Sequence, residues 1–519
     1  VAAQPDIGLA ARHYSERNYQ ATADVCLEIL SRDQDHFDAL HLLGVVLSRQ
    51  DLHAEALPYL LRAAAVRADH AQLQTNLCNT YLALKRYDDA MVACQQSLRL
   101  APDDPVALNN LGLAHKGLGA LALAIDAFRR ATSARWDHAQ AWYNLATCLI
   151  KLEQYDDALG ASRTARRLAS LDTPISRLAD ITNEIGRALV ALGRPQEALA
   201  ECRRFLHDHP DEPSVRWNMS LVLLLLGQYA EGWLAYESRW GVGGHDSRPA
   251  GAVVLDPAAV AGKHVLLQAE QGRGDTLQFV RYAACLMDMG ARVSLQVYSD
   301  LVDLLAAMPG VDRVVSVDDP APDVDLLTPV MSLPLAFGTE VSSIPARVPY
   351  LTVPADRLVR WQERLGAPTG RRIGLAWSGS VNSQGRSAMA AENLEPLFAC
   401  DRFEFYCLQT EIHESDRIWL DRTRPALTIF SQELGDFADT AALMSLMDQV
   451  ITVDTAVAHL AGALALPVWI MLPFSPDFRW LLGRDDSPWY PTARLFRQPA
   501  RGDWASVVRD ILVSMGSPV

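Results

Sequence analysis

Two short stretches carry residues whose types and spacing suit chemistry. The first is "HVLLQAEQGRGDTLQFVRYAACL", residues 264–286. An apolar run from His264 to Gln268 meets a bend holding Gln271, Gly272, Gly274 and Asp275, and a helix-like pattern follows. Glycine after a strand permits bends and close approach of another molecule, and the start of a helix offers free N–H groups and partial positive charge. The spacing is not GxGxxG, and the carboxylate of Asp275 would repel a phosphate. On spacing alone Asp275 has two readings: a cap for the helix starting at Thr276, or a general base facing a cleft. The second stretch is "ITVDTAVAHLAGAL", residues 451–464. A strand pattern ends at Asp454 and Thr455, and Ala456 to Leu464 reads as a helix whose N-terminus suits a nucleotide diphosphate. Asp454 or Thr455 could equally be a cap, and His459 a packed helix residue. "RIGLAWSG" (372–379) ends another strand at Ser378 and Gly379, in a loop that could line the same phosphate path. Arg386 is the nearest cation after it, either a partner for a diphosphate or a solvated arginine.

Other possible chemistry is weaker. Asp323-Val324-Asp325 has DxD spacing but follows Pro322 and reads as a turn entering a strand, so no metal site is expected. "HDHP" (207–210) falls between helical patterns. There is no G-x-S-x-G, P-loop or HExxH motif.

The elements that must position these residues alternate. Strand patterns at His264–Gln268, Arg292–Val297, Val311–Val317 and Val324–Leu327 are interleaved with helix patterns at Thr276–Met289 and Leu301–Ala307. After an amphipathic helix and a Gly/Pro turn in 353–372, a second series has strands in 372–379, 403–409 and 449–455, with 467–473 as the last. Such alternation implies parallel sheets covered by helices. Two units in tandem would form a cleft between strand C-termini, where open α/β sheets bind ligands. The expected division is an α-solenoid over 1–240, a Gly/Pro/Ala-rich linker at 241–262, and two Rossmann-like α/β domains in a GT-B arrangement, 263–355 on the acceptor side and 356–519 on the nucleotide side.

The solenoid follows from a repeat. Segments beginning at Ala71, Pro105 and Ala139 start 34 residues apart, and Ala90, Ala124 and Ala158 recur at one phase. This is the tetratricopeptide period: one helix pair cannot bury its apolar stripe alone, whereas stacked pairs can. Asn76, Asn110, Asn144 and Asn218 also share a helical position, interrupted by Leu42 and Glu184. They resemble the asparagine ladder of O-GlcNAc transferases, where amides grip an extended polypeptide. An amide offers both donor and acceptor to any peptide group. The alternative is that these asparagines only bridge neighbouring helices.

Bulk properties narrow the class. The 519 residues carry a net charge of −15, which makes a general nucleic-acid binder a poor fit. No apolar run approaches the ~20 residues of a membrane span, and no charged-then-apolar signal opens the sequence. The eight cysteines form no CxxC pair and read as small buried hydrophobes rather than disulfides. A cytoplasmic location is expected.

"LLQAEQGRGDTLQFVRYA", "RIGLAWSG" and "VDTAVAHLAGALALPVWIML" resemble glycosyltransferase family 9, the heptosyltransferases and their relatives, and more closely bacterial proteins joining tetratricopeptide repeats to such a domain. The likeness runs over about 230–519, with "EGWLAYESRW", "MSLPLAFGT" and "SPWYPTARLFRQ" as further pieces. It implies that Asp275 is the general base and that the donor's diphosphate or ribose lies beside Asp454, Thr455 and His459. Many relatives have a lysine or a longer polar loop where this chain reads "WSGSVNSQGRSAMA", a departure that counts against ADP-heptose as donor. The implied activity is inverting, metal-independent transfer of a sugar from a nucleotide-sugar, a substrate rather than a cofactor, to a hydroxyl of a protein held by the repeats, such as flagellin or a surface protein. The alternatives are a lipopolysaccharide or other glycan acceptor, and a non-catalytic scaffold with a degenerate transferase half.

Overall fold

The computed structural model describes residues 6–242, 248–379 and 389–516. The chain divides into two compact units, 1–192 and 193–519. Arg386 lies outside the described residues.

The first unit is a run of helices from Ile7–Ser15 to Ile175–Ala191, packed as successive pairs of a tetratricopeptide solenoid. The repeat phase sets the helix starts as well as the core. His36, His70, Asp104 and His138 stand 34 residues apart. Each is an N-cap whose side chain accepts from the backbone N–H three residues on, satisfying a donor that the helix cannot. The recurring Ala90, Ala124 and Ala158 are fully buried, which lets paired helices approach closely. Within each pair a small residue faces a larger one sixteen positions later. A Cβ on Gly44 would come within 2.5 Å of Leu60, and one on Gly112 within 2.5 Å of Phe128. In the repeat between them these two positions are Cys78 and Cys94. They form a disulfide with Cα atoms 5.5 Å apart, which corrects the expectation that no cysteine pairs. The spacing that elsewhere seats a side chain over glycine here brings two sulfurs together.

The second unit opens with three more helices, Pro195–Asp208, Pro213–Leu225 and Tyr229–Tyr236. The helical pattern ends near residue 240, but packing does not divide there. Trp233 makes edge-to-face contacts with Phe279 and Phe478 at 5.9 and 5.8 Å. The described part of the 241–262 segment is also packed: Val253 N–H donates to Leu327 O at 2.9 Å, and Leu255 and Val260 are buried.

Two parallel sheets follow. The first comprises β1 (His264–Gln268), β2 (Arg292–Val297), β3 (Arg313–Ser316) and β4 (Leu326–Pro329) in the order β3-β2-β1-β4. The second comprises β5 (Arg371–Ala376), β6 (Phe403–Cys407), β7 (Leu427–Ile429), β8 (Gln449–Val453), β9 (Val468–Leu472) and β10 (Ala493–Arg497), ordered β10-β9-β8-β5-β6-β7. Every pairing is parallel. Central strand β8 is buried at every residue and β9 is an apolar run, as expected where both faces are covered. The region expected to end its strands at 467–473 has a further one, β10, beside β9. The single helix expected over Thr276–Met289 is two, Arg273–Phe279 and Tyr282–Asp288. The break is at Val280 and Arg281, where the Arg281 side chain turns back to donate to Gln278 O.

Candidate functional site at the strand ends

The strand orders fix where a site can form. In the first sheet the order reverses between β1 and β4, and in the second between β5 and β8. Crevices open at such switch points, outside the carboxyl ends of the strands. Gln271 to Asp275 follow β1, Ser378 and Gly379 follow β5, and Asp454 and Thr455 follow β8. All these predicted residues therefore stand at strand carboxyl ends beside a switch point.

The loop after β1 is held firmly. Gln271 has φ 61°, in the left-handed region that non-glycine residues seldom adopt. Its side chain pairs with the Tyr236 hydroxyl at 2.9 Å, and its carbonyl accepts from Tyr298 Oη at 2.6 Å. Beside it Glu270 accepts from buried Arg239 at 2.9 Å and from Met331 N–H, just past β4, at 3.0 Å. That buried pair ties the end of the repeat helices to both strands of the first crevice.

Asp275 stands in the first turn of the helix Arg273–Phe279, and its Oδ2 accepts from Gly272 N–H at 2.8 Å. The helix thus starts at Arg273 with Gly272 as its N-cap, so Asp275 is not the cap of a helix beginning at Thr276; it accepts from the N-cap's N–H from the third helical position. That contact leaves the other oxygen, Oδ1, which accepts from Nη2 of Arg479. Arg479 comes from the loop after β9, and its guanidinium also donates to Asp477 Oδ1 at 2.6 Å and to Gln278 Oε1 at 2.8 Å. Burial raises the pKa of Asp275, while Arg479 and the Gly272 N–H oppose the rise. Asp454 belongs to the same electrostatic group. Burial, and then the neighbouring Asp477, push it up to about 7; the Trp480 indole and Arg479 pull the other way. For Arg479 burial works against the charge, but Asp477 and Asp275 outweigh it and raise its pKa. Two carboxylates, Asp275 and Asp477, thus share one guanidinium whose charge also acts on Asp454, and Asp454 is the carboxyl whose proton is held near neutrality.

Gly274 and His459 meet directly. A Cβ on Gly274 would lie 2.9 Å from His459 Cδ2 and 3.5 Å from Ala456 Cα, so glycine here lets the helix after β1 pack against the helix Ala456–Ala463. His459 is buried, stacks on Trp480 with centroids 5.5 Å apart, and shares a hydrogen bond with the Tyr490 hydroxyl at 2.9 Å through Nδ1. Burial, with Arg479 and Arg281 nearby, holds its pKa well below the usual range, so the ring is neutral. Thr455 is the N-cap of that helix without a side-chain cap bond; its hydroxyl lies 3.3 Å from that of Thr452. Ser378 is buried, its N–H and hydroxyl both engaged with the Gln409 amide at 3.1 and 2.9 Å.

Sequence reasoning missed Arg479, Asp477 and Arg281. Arg281 is a buried cation whose guanidinium bonds neutral groups, the carbonyls of Gln278, Pro345 and Trp489 and the Tyr350 hydroxyl. Asp477 and Arg479 stand two residues apart in "SPDFRW", a spacing that also suits an exposed turn. The partner of Arg479, Asp275, lies 204 residues away. Among the described residues no group of three or more His, Cys, Asp or Glu is arranged to hold a metal ion.

The asparagines are placed differently. Asn76 Nδ2 lies 2.8 Å from His41 Nε2, Asn110 donates to Asn79 Oδ1 at 2.7 Å, and Asn144 donates to Asn109 Oδ1 at 2.9 Å. Each partner belongs to the preceding repeat. Asn110 and Asn144 are 4% and 3% exposed. Asn76 is half-buried and borders a groove of about 730 Å³ with Tyr14, His41, Leu42, Arg49 and Asn79. Asn218, in the second unit, donates to Ser214 O one turn earlier on its own helix, at 3.2 Å.

Comparison with known proteins supports the repeat reading. Residues 41–105 and 183–240 match the tetratricopeptide-repeat family model, and 83–165 match that of anaphase-promoting complex, cyclosome, subunit 3. Protein FlbA of Caulobacter vibrioides is 24% identical over 96% of this chain and 88% of its own. Among solved structures, PilW, described as a widely conserved type IV pilus biogenesis factor, is 18% identical with a TM-score of 0.37, covering 40% of this chain and 94% of its own. YrrB, described as a TPR protein with an unusual peptide-binding site, is 18% identical with a TM-score of 0.32, covering 37% and 96%. No described helix is long and apolar enough to cross a membrane. The chain thus has a tetratricopeptide-repeat solenoid followed by a region of parallel sheets.

Proposed function

We propose that this chain is a glycosyltransferase that moves a sugar from a nucleotide-sugar to a hydroxyl of a polypeptide held by the repeats. The observation that carries the reading is the placement of Asp275 and Asp454, each just past a strand beside a switch point of its own sheet, near enough for the charge of Asp275 to act on Asp454. Two such sheets are what a GT-B arrangement requires. In the proposed step the acceptor oxygen bonds to the anomeric carbon as the carbon–phosphate oxygen bond breaks. The electron pair leaves with the diphosphate, and the acceptor's proton passes to Asp275. The N-terminus of the helix Ala456–Ala463, with Thr455 as its cap, offsets the charge gathering on the diphosphate. A base and a leaving group on opposite sides of the sugar invert the anomeric centre. The groove beside Asn76 gives the polypeptide a place to lie, and Arg386 remains a candidate for the leaving group.

A second reading has its own observation. Arg479 occupies one oxygen of Asp275 and Gly272 the other, as in a latch that only fastens helices together. On that reading the α/β region is a non-catalytic part of a repeat scaffold. A thermal-shift screen of the full chain against ADP, UDP, GDP and CMP separates the two, since a ligand that binds only the folded state raises Tm. A transferase responds to one of these nucleotides; a chain that responds to none is a scaffold.

A further inference from the structure

We infer that Arg479 is the positioning residue for Asp275: it fixes the carboxylate against the loop after β1 and supplies the positive charge that keeps the buried carboxylate ionised, in the form able to accept the acceptor's proton. The inference rests on the transferase reading for the proton's source, but the pairing is tested without it. A base on a helix's first turn is fixed by its cap bond at one oxygen only, here Oδ2 to Gly272 N–H. The second oxygen would be free to swing. Arg479 prevents this, and it is itself held from two sides by Asp477 and Gln278. A planar guanidinium with three fixed partners has little freedom to follow a moving carboxylate. The anchoring also runs across the chemistry, because Arg479 follows β9, beside the strand that presents Asp454.

The charges facing Asp275 identify Arg479 as the residue that matters. Asp477 comes from the same loop as Arg479, and Asp454 from the end of β8; both are negative or can become so. Tyr236, from the last repeat helix, is neutral with its pKa raised by burial. His459 is neutral. Arg273, on Asp275's own helix, is turned to Asp300 at 3.1 Å. Arg479 is therefore the cation that offsets burial of the Asp275 carboxylate. Each carboxylate oxygen has more than one acceptor site, so the pairing leaves Asp275 able to receive a proton.

The test follows the Asp275 carboxyl by carbon-13 NMR, as the difference between wild type and Asp275→Asn, in Arg479→Gln, Arg479→Lys and Asp477→Asn. Arg479→Gln should move the Asp275 titration up by at least about one pH unit, the usual minimum effect of an adjacent arginine. Lysine should restore part of the shift. Asp477→Asn should move it the other way, because one negative neighbour is gone. In any transfer assay Arg479→Gln should shift the acidic limb of the turnover profile upward and lower kcat tenfold or more, with the nucleotide's KM unchanged. An Asp275 titration that stays put in folded Arg479→Gln overturns the inference. Should Arg479→Gln not fold, unchanged titrations in both Arg479→Lys and Asp477→Asn do the same. Shifts as expected in a chain that binds no nucleotide would keep the pairing and remove the transferase reading.

Discussion

The asparagines of the repeats and the carboxylates of the strand ends are both recurring polar groups, and the two regions use them in opposite ways. In the repeats the buried amides of Asn110 and Asn144 each find a neutral amide in the preceding repeat, so no charge is left to compensate. At the strand ends Asp275 and Asp477 are paired with one Arg479, whose charge also acts on Asp454, and Asp275 and Asp454 have raised pKa values. Grouping charges under burial is costly, and the buried pairs that result are weak contributors to stability. Perturbed carboxylates in a crevice are instead a mark of function. Buried amides paired with neutral groups of the preceding repeat serve architecture, whereas the excess of carboxylates around Arg479 is what the proposed transfer reaction would use.

The largest effect that would break this contrast is on turnover. Asp275→Asn should keep the fold, because the asparagine oxygen can still accept from Gly272 N–H and Arg479 keeps Asp477 and Gln278 as partners, and should lower transfer by about 10²–10⁴-fold, the usual loss for a general base. Steady-state transfer assays measure it, and near-wild-type turnover would leave Asp275 in a structural role alone.

The next effect is on the pH dependence of stability. The folded pKa of Asp454 is raised to about 7, so the folded state holds its proton where the unfolded state has lost it. The contribution of this group is then full below the ordinary carboxylate range and is lost as pH rises from about 4 through 7. At about 1.4 kcal/mol per pKa unit the fall is on the order of 1–4 kcal/mol. Urea unfolding from pH 5 to 8 should show it in wild type and a flatter profile in Asp454→Asn. Parallel profiles would mean that the group titrates elsewhere.

Gly274→Ala sharpens the comparison through packing. The new methyl would meet the ring of His459, which stacks on Trp480 and has little room to retreat. Overpacking of this kind costs about 1–3 kcal/mol. A matching drop in urea midpoint is expected, and an unchanged midpoint would show that the two helices are not closely seated.

The smallest effect is in the repeats. Asn144→Ala leaves Asn109 Oδ1 without its donor, and an unsatisfied buried polar group costs about 1–3 kcal/mol. Urea unfolding should show a loss near the lower end of that range, with nucleotide binding unchanged. If stability is unaffected but a polypeptide partner binds less well, the amide grips a ligand rather than the preceding repeat.

Much of this was legible in the sequence because it is periodic or local. The 34-residue phase locates helices, caps and buried alanines, and β1, β2, β5, β8 and β9 lie in the apolar runs that announce them. β10 hid because "ARLFR" (493–497) alternates basic and apolar residues behind Pro491. The Cys78–Cys94 bond hid among scattered cysteines, although Gly44 with Leu60 and Gly112 with Phe128 mark the same facing positions. Asp275 and Asp454 were found because each follows an apolar run and opens a helix. Arg479 was not, because what distinguishes it is a partner 204 residues away, and no local pattern encodes a distant pairing.

The central claim, that the strand ends of the second unit hold a nucleotide, is tested most directly by calorimetry on Asp454→Ala with Thr455→Ala, using whichever nucleotide raises Tm in the screen. The double variant should remain folded and lose at least about tenfold in nucleotide affinity, a difference of about 1.4 kcal/mol, while a polypeptide partner of the repeats binds as before. Unchanged nucleotide affinity in the folded double variant would contradict the account.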